Sequence, residues 1–281
     1  MNKELPRLSD PIPGLSEKGL ATFLQTLDLL TNEPERVTRL LGHIDRIIDV
    51  SAVKRVAVVG CGPKPEIISL LRARGMDAFG VEPVPLFVQA ACKYLNDENG
   101  AVLGAAERLP LADEECDLVF FENVLEHVES PRRCLVEIYR VLKPGGLVYL
   151  TTTNRHRFSL SGNNDEYSTP FLNWFPRTVR EGYVHNQLHF DPALANDTER
   201  PAVHWFTFAE LVALGRDAEF ARFYSTLDTR LPNTALVSRN PLRRWVQSSG
   251  WLLRTIQRSP WLRAMALSQM PGDIMMWKRK L

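Results

Sequence analysis

The sequence predicts an α/β fold, a mostly parallel sheet with helices on both faces. Two observations predict it. Residues 55 to 150 alternate apolar strand patterns with helical ones, the order expected of parallel strands joined by crossover helices. Within that stretch, residues 56 to 82 run from Val56-Ala57-Val58-Val59 through Gly60 and Gly62, then a helical pattern, to a second apolar stretch that ends at Glu82. That is the layout of a βαβ nucleotide site.

Each element has its own cause. Val56 to Val59 has no polar face, so it reads as a buried parallel strand. Gly60 and Gly62 allow a tight turn and let backbone N–H groups approach a ligand. Ile67, Ile68, Leu70 and Leu71 mark a helix over 65–74. Pro65 suits its first turn, where the missing N–H is not needed. A pyrophosphate would want free N–H groups at that helix start, and Pro63 and Pro65 remove two of them. A ligand without phosphate fits better, which disfavours a dinucleotide oxidoreductase. Glu82 follows about 20 residues on, where a strand-end carboxylate can bind ribose hydroxyls.

Further strands are expected at 77–82, 101–103, 116–122 and 146–153, and helices at 85–95 and 131–142. Pro131 opens the last of these, and Pro144-Gly145-Gly146 closes it. Before the sheet, residues 1–17 are polar with three prolines. Leu20 to Leu30 and Val37 to Ile48 then carry two amphipathic helical patterns. After it, residues 155–204 mix charged and aromatic residues with Gly, Asn and Pro, which suggests a lid or binding loop. Phe206 to Leu214 look helical, with Thr207 as N-cap and Glu210 at capping-box spacing. Residues 220–227 and 273–280 are candidates for the last strands.

A chain of 281 residues, 44% hydrophobic and 24% charged, suits a soluble protein with a sizeable core. A net charge of +1 gives no global field for nucleic acid. Cys61, Cys92, Cys116 and Cys134 form no close pair, which suggests a reducing, cytoplasmic setting without disulfides or zinc. No signal peptide is expected, and no apolar run reaches the roughly 18 residues of a membrane span.

Four stretches carry a resemblance. They are Gly60-Cys61-Gly62, Gly104 to Leu111, Cys116 to Val128 with its Glu122-Asn123-Val124-Leu125-Glu126-His127, and Leu135 to Gly146 with Lys143-Pro144-Gly145-Gly146. In this order and spacing they resemble class I S-adenosylmethionine-dependent methyltransferases, most nearly the small-molecule branch that includes ubiquinone-biosynthesis O-methyltransferases. The resemblance covers about residues 54 to 154. It implies a Rossmann-like seven-stranded sheet, mostly parallel with one antiparallel edge strand. It also implies three regions: an N-terminal helical lead (1–50), the S-adenosylmethionine-binding core (51–154), and a lid, closing helix and last two strands (155–281).

The resemblance implies cofactor contacts at Gly60, Cys61, Gly62, Glu82, Pro83, Ala106, Glu107, Glu122 and Asn123. It departs at four places. The third glycine of the turn is replaced, with Lys64 and Pro65 standing there. Val58 and Ala105 stand where the family usually has acids. Asn123 stands where the quinone enzymes have a metal-binding carboxylate, so no metal is expected, since hard cations prefer oxygen anions. His127 is the candidate general base, because its ordinary pKa lies near neutrality; a structural hydrogen bond at the strand end is the alternative. His156, Tyr183, His204 and Trp205 are candidate substrate contacts. His185 and His189 have i, i+4 spacing but lack an adjacent acid motif.

The expected activity is methyl transfer to a small-molecule, sugar or lipid-linked acceptor, with oxygen favoured over nitrogen or carbon. The alternative is a non-catalytic cofactor-binding or scaffold protein. One segment points to a membrane surface. Between Asp228 and Asp273 there are seven arginines and no acid. A helix over 241–258 would set Leu242, Trp245, Val246, Leu252, Leu253 and Ile256 against Arg243, Arg244, Arg254 and Arg258. Such a helix can lie on anionic lipid, or its apolar face can pack on the fold.

Overall fold

A computed structural model describes residues 33–155, 204–230, 249–268 and 272–280, together with positions 175, 176, 178, 179 and 183. The helical pattern at 20–30, most of the expected lid and residues 241–248 lie outside the described residues.

The first half of the sheet comprises β1 (Arg55–Val59), β2 (Asp77–Glu82), β3 (Ala101–Leu103), β4 (Cys116–Glu122) and β5 (Leu142–Thr152). β6 (Arg222–Tyr224) and β7 (Gly272–Trp277) complete it. The strand order is β3-β2-β1-β4-β5-β7-β6. β1 to β5 pair in parallel, while β7 pairs antiparallel with both β5 and β6. The antiparallel strand expected at one edge is therefore β7, with short β6 beyond it. The chain winds outward from β1 to β3 and then returns to β4. This puts the switch in strand order between the carboxyl ends of the parallel β1 and β4, where open α/β sheets bind ligands.

Side-chain alternation makes two cores. Ala57, Val59, Val119, Phe121, Val148 and Leu150 face one side, under α4 (Pro131–Val141) and α5 (Phe208–Asp217). Val56, Val58, Leu118, Phe120, Leu147 and Tyr149 face the other, under α1 (Glu33–Ile44) and α2 (Glu66–Arg72). Both faces being covered explains why these strands read as continuous apolar runs. α3 (Pro85–Leu95) follows β2, and its αL cap at Asn96 ends it.

Several borders differ from the sequence expectation. α1 begins at Glu33 with Pro34 in its first turn and stops at Ile44, short of Ile48. β5 starts at Leu142, not at residue 146. Its register with β4 shifts between Cys116 and Leu118, so the Pro-Gly-Gly run is an irregularity inside the strand. α5 runs on to Asp217 from the expected Thr207 cap. There the Glu210 N–H donates to Thr207 Oγ1 at 3.1 Å, and the Thr207 N–H donates to Glu210 Oε2 at 2.7 Å. The expected strand at 220–227 is only Arg222–Tyr224, because residues 226–229 form a turn. In place of a continuous helix over 241–258, the described part begins at Gly250, after a Ser249 cap. α6 (Gly250–Arg258) is followed at once by α7 (Pro260–Leu267).

Candidate active site

The cleft at the β1–β4 switch is built from three loops that bind one another through the backbone. Gly60 and Gly62 have φ of 71° and 65°, the left-handed region that glycine enters without strain. The Gly60 N–H donates to Val81 O at 2.7 Å, and the Gly104 N–H donates to Glu82 O at 3.0 Å. A side chain at Gly60 would collide with Val124, whereas a Cβ at Gly62 would meet nothing within 4 Å. Gly60 therefore serves the packing of the loop after β1 on the loop after β4. Gly62 fronts open space.

Glu82 is buried at the end of β2. Its carboxylate accepts from the Gly62 N–H at 3.0 Å and the Val84 N–H at 3.2 Å. A carboxylate offers about four acceptor positions, so fixing the glycine turn and accepting from a diol are compatible. Pro83 follows on the surface. The Cys61 thiol packs against Gly80. Burial, and then the nearby Glu82 charge, push its pKa far above the ordinary thiol range, so it is no nucleophile.

The turn after β3 closes through an Arg108 N–H to Ala105 O bond at 3.0 Å, with Ala106 buried. Glu107 is partly exposed. It accepts from the Glu129 N–H at 2.9 Å, tying this turn to the chain after β4.

Val59 pairs with Phe121 across the sheet, so Gly60 follows on one strand where Glu122 follows on the next. Glu122 accepts from Arg36 of α1 at 2.6 Å (Oε1) and 3.2 Å (Oε2), and Arg36 also binds Glu33 at 2.7 Å through Nε. Burial alone would lower the Arg36 pKa, but the bonds and charges of Glu33 and Glu122 raise it well above its ordinary value. Asn123 has φ 55°, a conformation that asparagine tolerates better than most residues. Its N–H donates to Thr151 O at 3.0 Å, and its Oδ1 accepts from Thr151 Oγ1 at 3.2 Å. The asparagine thus has a conformational reason to stand here. Among the described residues no three His, Cys, Asp or Glu side chains gather as a metal site.

Glu126 is buried and accepts from Thr152 Oγ1 at 2.9 Å. Its carbonyl accepts from the His204 N–H at 3.2 Å. His127 is partly exposed, and its N–H closes a turn to Val124 O at 3.0 Å. Residues 204–206 run beside the end of β5, with a Phe206 N–H to Thr153 O bond at 3.1 Å. The fold therefore brings His204 to the Glu126-His127 segment. The His204 ring stacks on Phe206 at 6.1 Å. Trp205 is buried, which makes its side chain a core element more than a lid contact. Tyr183 is half-buried at an isolated described position. His156, His185 and His189 lie outside the described residues.

Sequence reasoning missed Arg36 and the Glu126–Thr152 bond. The only hint of the first was a Glu33/Arg36 pair at i, i+3 spacing. Glu126 offered no hint of burial, because charged residues are rarely fully buried unless paired.

Comparison with known proteins supplies the next step. Residues 57–150 match the family model described as "Methyltransferase domain". An uncharacterized methyltransferase of Mycolicibacterium vanbaalenii is 38% identical over 96 residues, which are 34% of this chain and 37% of that protein. One from Mycobacterium tuberculosis is 33% identical over 105 residues, 37% of this chain and 42% of that protein. The matched stretch therefore covers less than half of these relatives' own length. Among solved structures, the chain resembles one described as "Complex between the Haloferax volcanii Trm112 methyltransferase activator and the putative methyltransferase". The TM-score is 0.52 at 18% identity, over 95% of this chain and 100% of that one. A SAM-dependent methyltransferase from Archaeoglobus fulgidus has a TM-score of 0.50 at 16% identity, over 92% and 99%. These structural likenesses concern the fold. The sequence match falls on the segment that holds the glycine turn, Glu82 and the loop after β4: residues 57–150 are similar to a methyltransferase domain.

Proposed function

We propose that this protein is an S-adenosylmethionine-dependent methyltransferase acting on a small-molecule, sugar or lipid-linked acceptor, with oxygen the favoured atom. The observation that carries the reading is Glu82: a buried carboxylate at the end of β2, fixed to the left-handed Gly62 turn, in a segment that matches a methyltransferase domain. That donor and acceptor set fits the cofactor. Glu82 would accept from its ribose hydroxyls. Gly60, Cys61 and Gly62 would line its amino-acid part, with open space in front of Gly62. Pro83, the backbone of Ala106 and Glu107, and the Glu122-Asn123 loop would complete the pocket.

S-adenosylmethionine brings an already activated sulfonium methyl. The protein's share is alignment, which can supply several kcal/mol of the barrier. His127 would take the proton of an acceptor hydroxyl. His204, brought to the same segment by its bond to Glu126 O, would border the acceptor with Tyr183 and His156, and Trp205 would support that wall.

Calorimetric titration of S-adenosylmethionine tests the binding half. Glu82→Gln should weaken affinity roughly ten- to hundredfold, the loss of a charge-assisted hydrogen bond. Unchanged affinity in a folded variant would remove Glu82 from the site. Methyl transfer to a panel of phenolic, sugar and lipid hydroxyls tests the other half. Tight binding without turnover would favour a cofactor-binding scaffold, the reading that the departures at Val58, Ala105 and Asn123 support.

A further inference from the structure

The hairpin of α6 and α7 turns one side of each helix to the same small cluster. Leu253 and Leu267 are buried there against Leu227, with Phe208, Ile256 and Ala266 packed around them. Polar bonds fix the pair in place. Gln257 Nε2 donates to Leu227 O at 2.8 Å, and Arg263 binds Asp228 at 2.7 and 2.6 Å. Because the inner sides share a cluster, the outer sides face away from it together.

That outer side has an unusual composition. On α6, Trp251, Arg254 and Arg258 lie at i, i+3 and i+7, and all three are exposed. On α7, Trp261 and Met265 lie at i and i+4. Trp251 is 68% exposed, Trp261 71% and Met265 51%. Large apolar side chains at such exposure on fixed helices call for an occupant. No acid occurs between Asp228 and Asp273, so the two helices themselves contribute only positive charge to this face.

We propose that the outer face of α6 and α7 docks on an anionic lipid surface. The indoles of Trp251 and Trp261 and the thioether of Met265 would enter the headgroup boundary, where tryptophan is favoured because its ring is apolar and its N–H is polar. Arg254 and Arg258 would meet lipid phosphates while their stems follow the apolar surface. A protein partner would also welcome tryptophan, methionine and arginine, but the positive charge of the two helices favours an anionic sheet.

The hairpin also borders the cleft. Asn154, just past β5, donates from Nδ2 to Leu267 O at 2.9 Å. Glu126 and Thr152 lie at that same end of the sheet. A bilayer under α6 and α7 would therefore approach the acceptor side, which suits an acceptor drawn from the lipid phase. That link to the acceptor rests on the proposed methyltransferase reading; the docking itself does not.

Vesicle flotation with the full chain tests the docking, using phosphatidylcholine vesicles with and without phosphatidylglycerol and no cofactor. The expected result is flotation with the anionic vesicles at low salt and release at high salt. Trp251→Ala/Trp261→Ala should abolish it. Arg254→Gln/Arg258→Gln should weaken it by about fivefold per arginine. All four side chains are exposed, so both variants should keep the wild-type melting temperature, which is measured alongside. Three outcomes would overturn the proposal: no flotation, flotation undiminished in either variant, or a wild-type oligomer that the tryptophan variant turns into a monomer, which would assign the face to a second copy. Because no methyl transfer is read, a failure here leaves the proposed activity untouched, and an inactive but floating protein separates the two readings.

Discussion

Arg36 on α1 and Glu122 at the end of β4 meet at 2.6 Å, joining a helix outside the matched domain to the loop beside Gly60. Removing the arginine leaves two carboxylates, Glu33 and Glu122, without their shared cation. Both ends of the pair are partly solvated, so Arg36→Met should cost only about 1–2 kcal/mol in urea unfolding. The Arg36→Met/Glu122→Gln double variant should recover part of that loss. Additive losses would show that the two side chains are not coupled.

The two glycines of the turn should separate by readout. Gly60→Ala adds strain at φ 71° and a collision with Val124, so about 2–4 kcal/mol of stability should go. Gly62→Ala adds strain at φ 65° but no collision. It should cost about 1–2 kcal/mol and act mainly on S-adenosylmethionine affinity. Thermal melts and calorimetry on the pair measure this, and equal melts would contradict it.

His43 gives the fold an acid-sensitive joint. Its Nδ1 lies 2.8 Å from Thr229 Oγ1, and neighbouring Arg46 binds the Thr229 carbonyl. Burial, then the charges of Arg46 and Arg230, lower its pKa to about 4. The unfolded chain would protonate first, at an ordinary value near 6.5. The stabilising effect is therefore complete above pH 6.5 and disappears as pH falls towards 4. The slope is at most about 1.4 kcal/mol per pH unit, and less for a half-buried ring. His43→Gln should flatten the urea midpoint between pH 7 and pH 4.5, relative to wild type. Parallel curves would show that His43 does not sense the change.

Methyl transfer, once an acceptor is found, should survive a chelator. Asn123 presents a neutral amide oxygen already bonded to Thr151, and hard cations favour several anionic oxygens. Activity lost to chelation and restored by magnesium would show that other groups supply the ligands.

What was legible in the sequence follows from periodicity. Val56 to Val59 and Leu118 to Phe121 read as strands because both their faces are covered. Thr207 and Glu210 read as a cap because the bonds are local. The start of β5 was hidden because Lys143-Pro144-Gly145 looks like a helix stop, while the backbone absorbs it as an irregularity opposite Cys116. Local geometry in the candidate site was legible where one residue type answers one need, as at the left-handed Gly62 and at Glu82 ending β2. It was illegible where partners lie far apart, as with Arg36 and Glu122, or where conformation decides, as at Asn123. In the 241–258 pattern, the wheel shows which residues share a face but not that Ser249 starts the helix or that Trp251 stays outside.

The contact between Cys61 and Gly80 ties two positions that the chain keeps far apart in order. The sulfur takes the room that a side chain at position 80 would need, so position 80 cannot enlarge while cysteine stands at 61. Relatives that carry alanine at position 80 should carry a residue smaller than cysteine at position 61. An engineer who wants a wider floor beneath the glycine turn can gain it by shrinking residue 61, whereas enlarging residue 80 first would push the turn off the sheet.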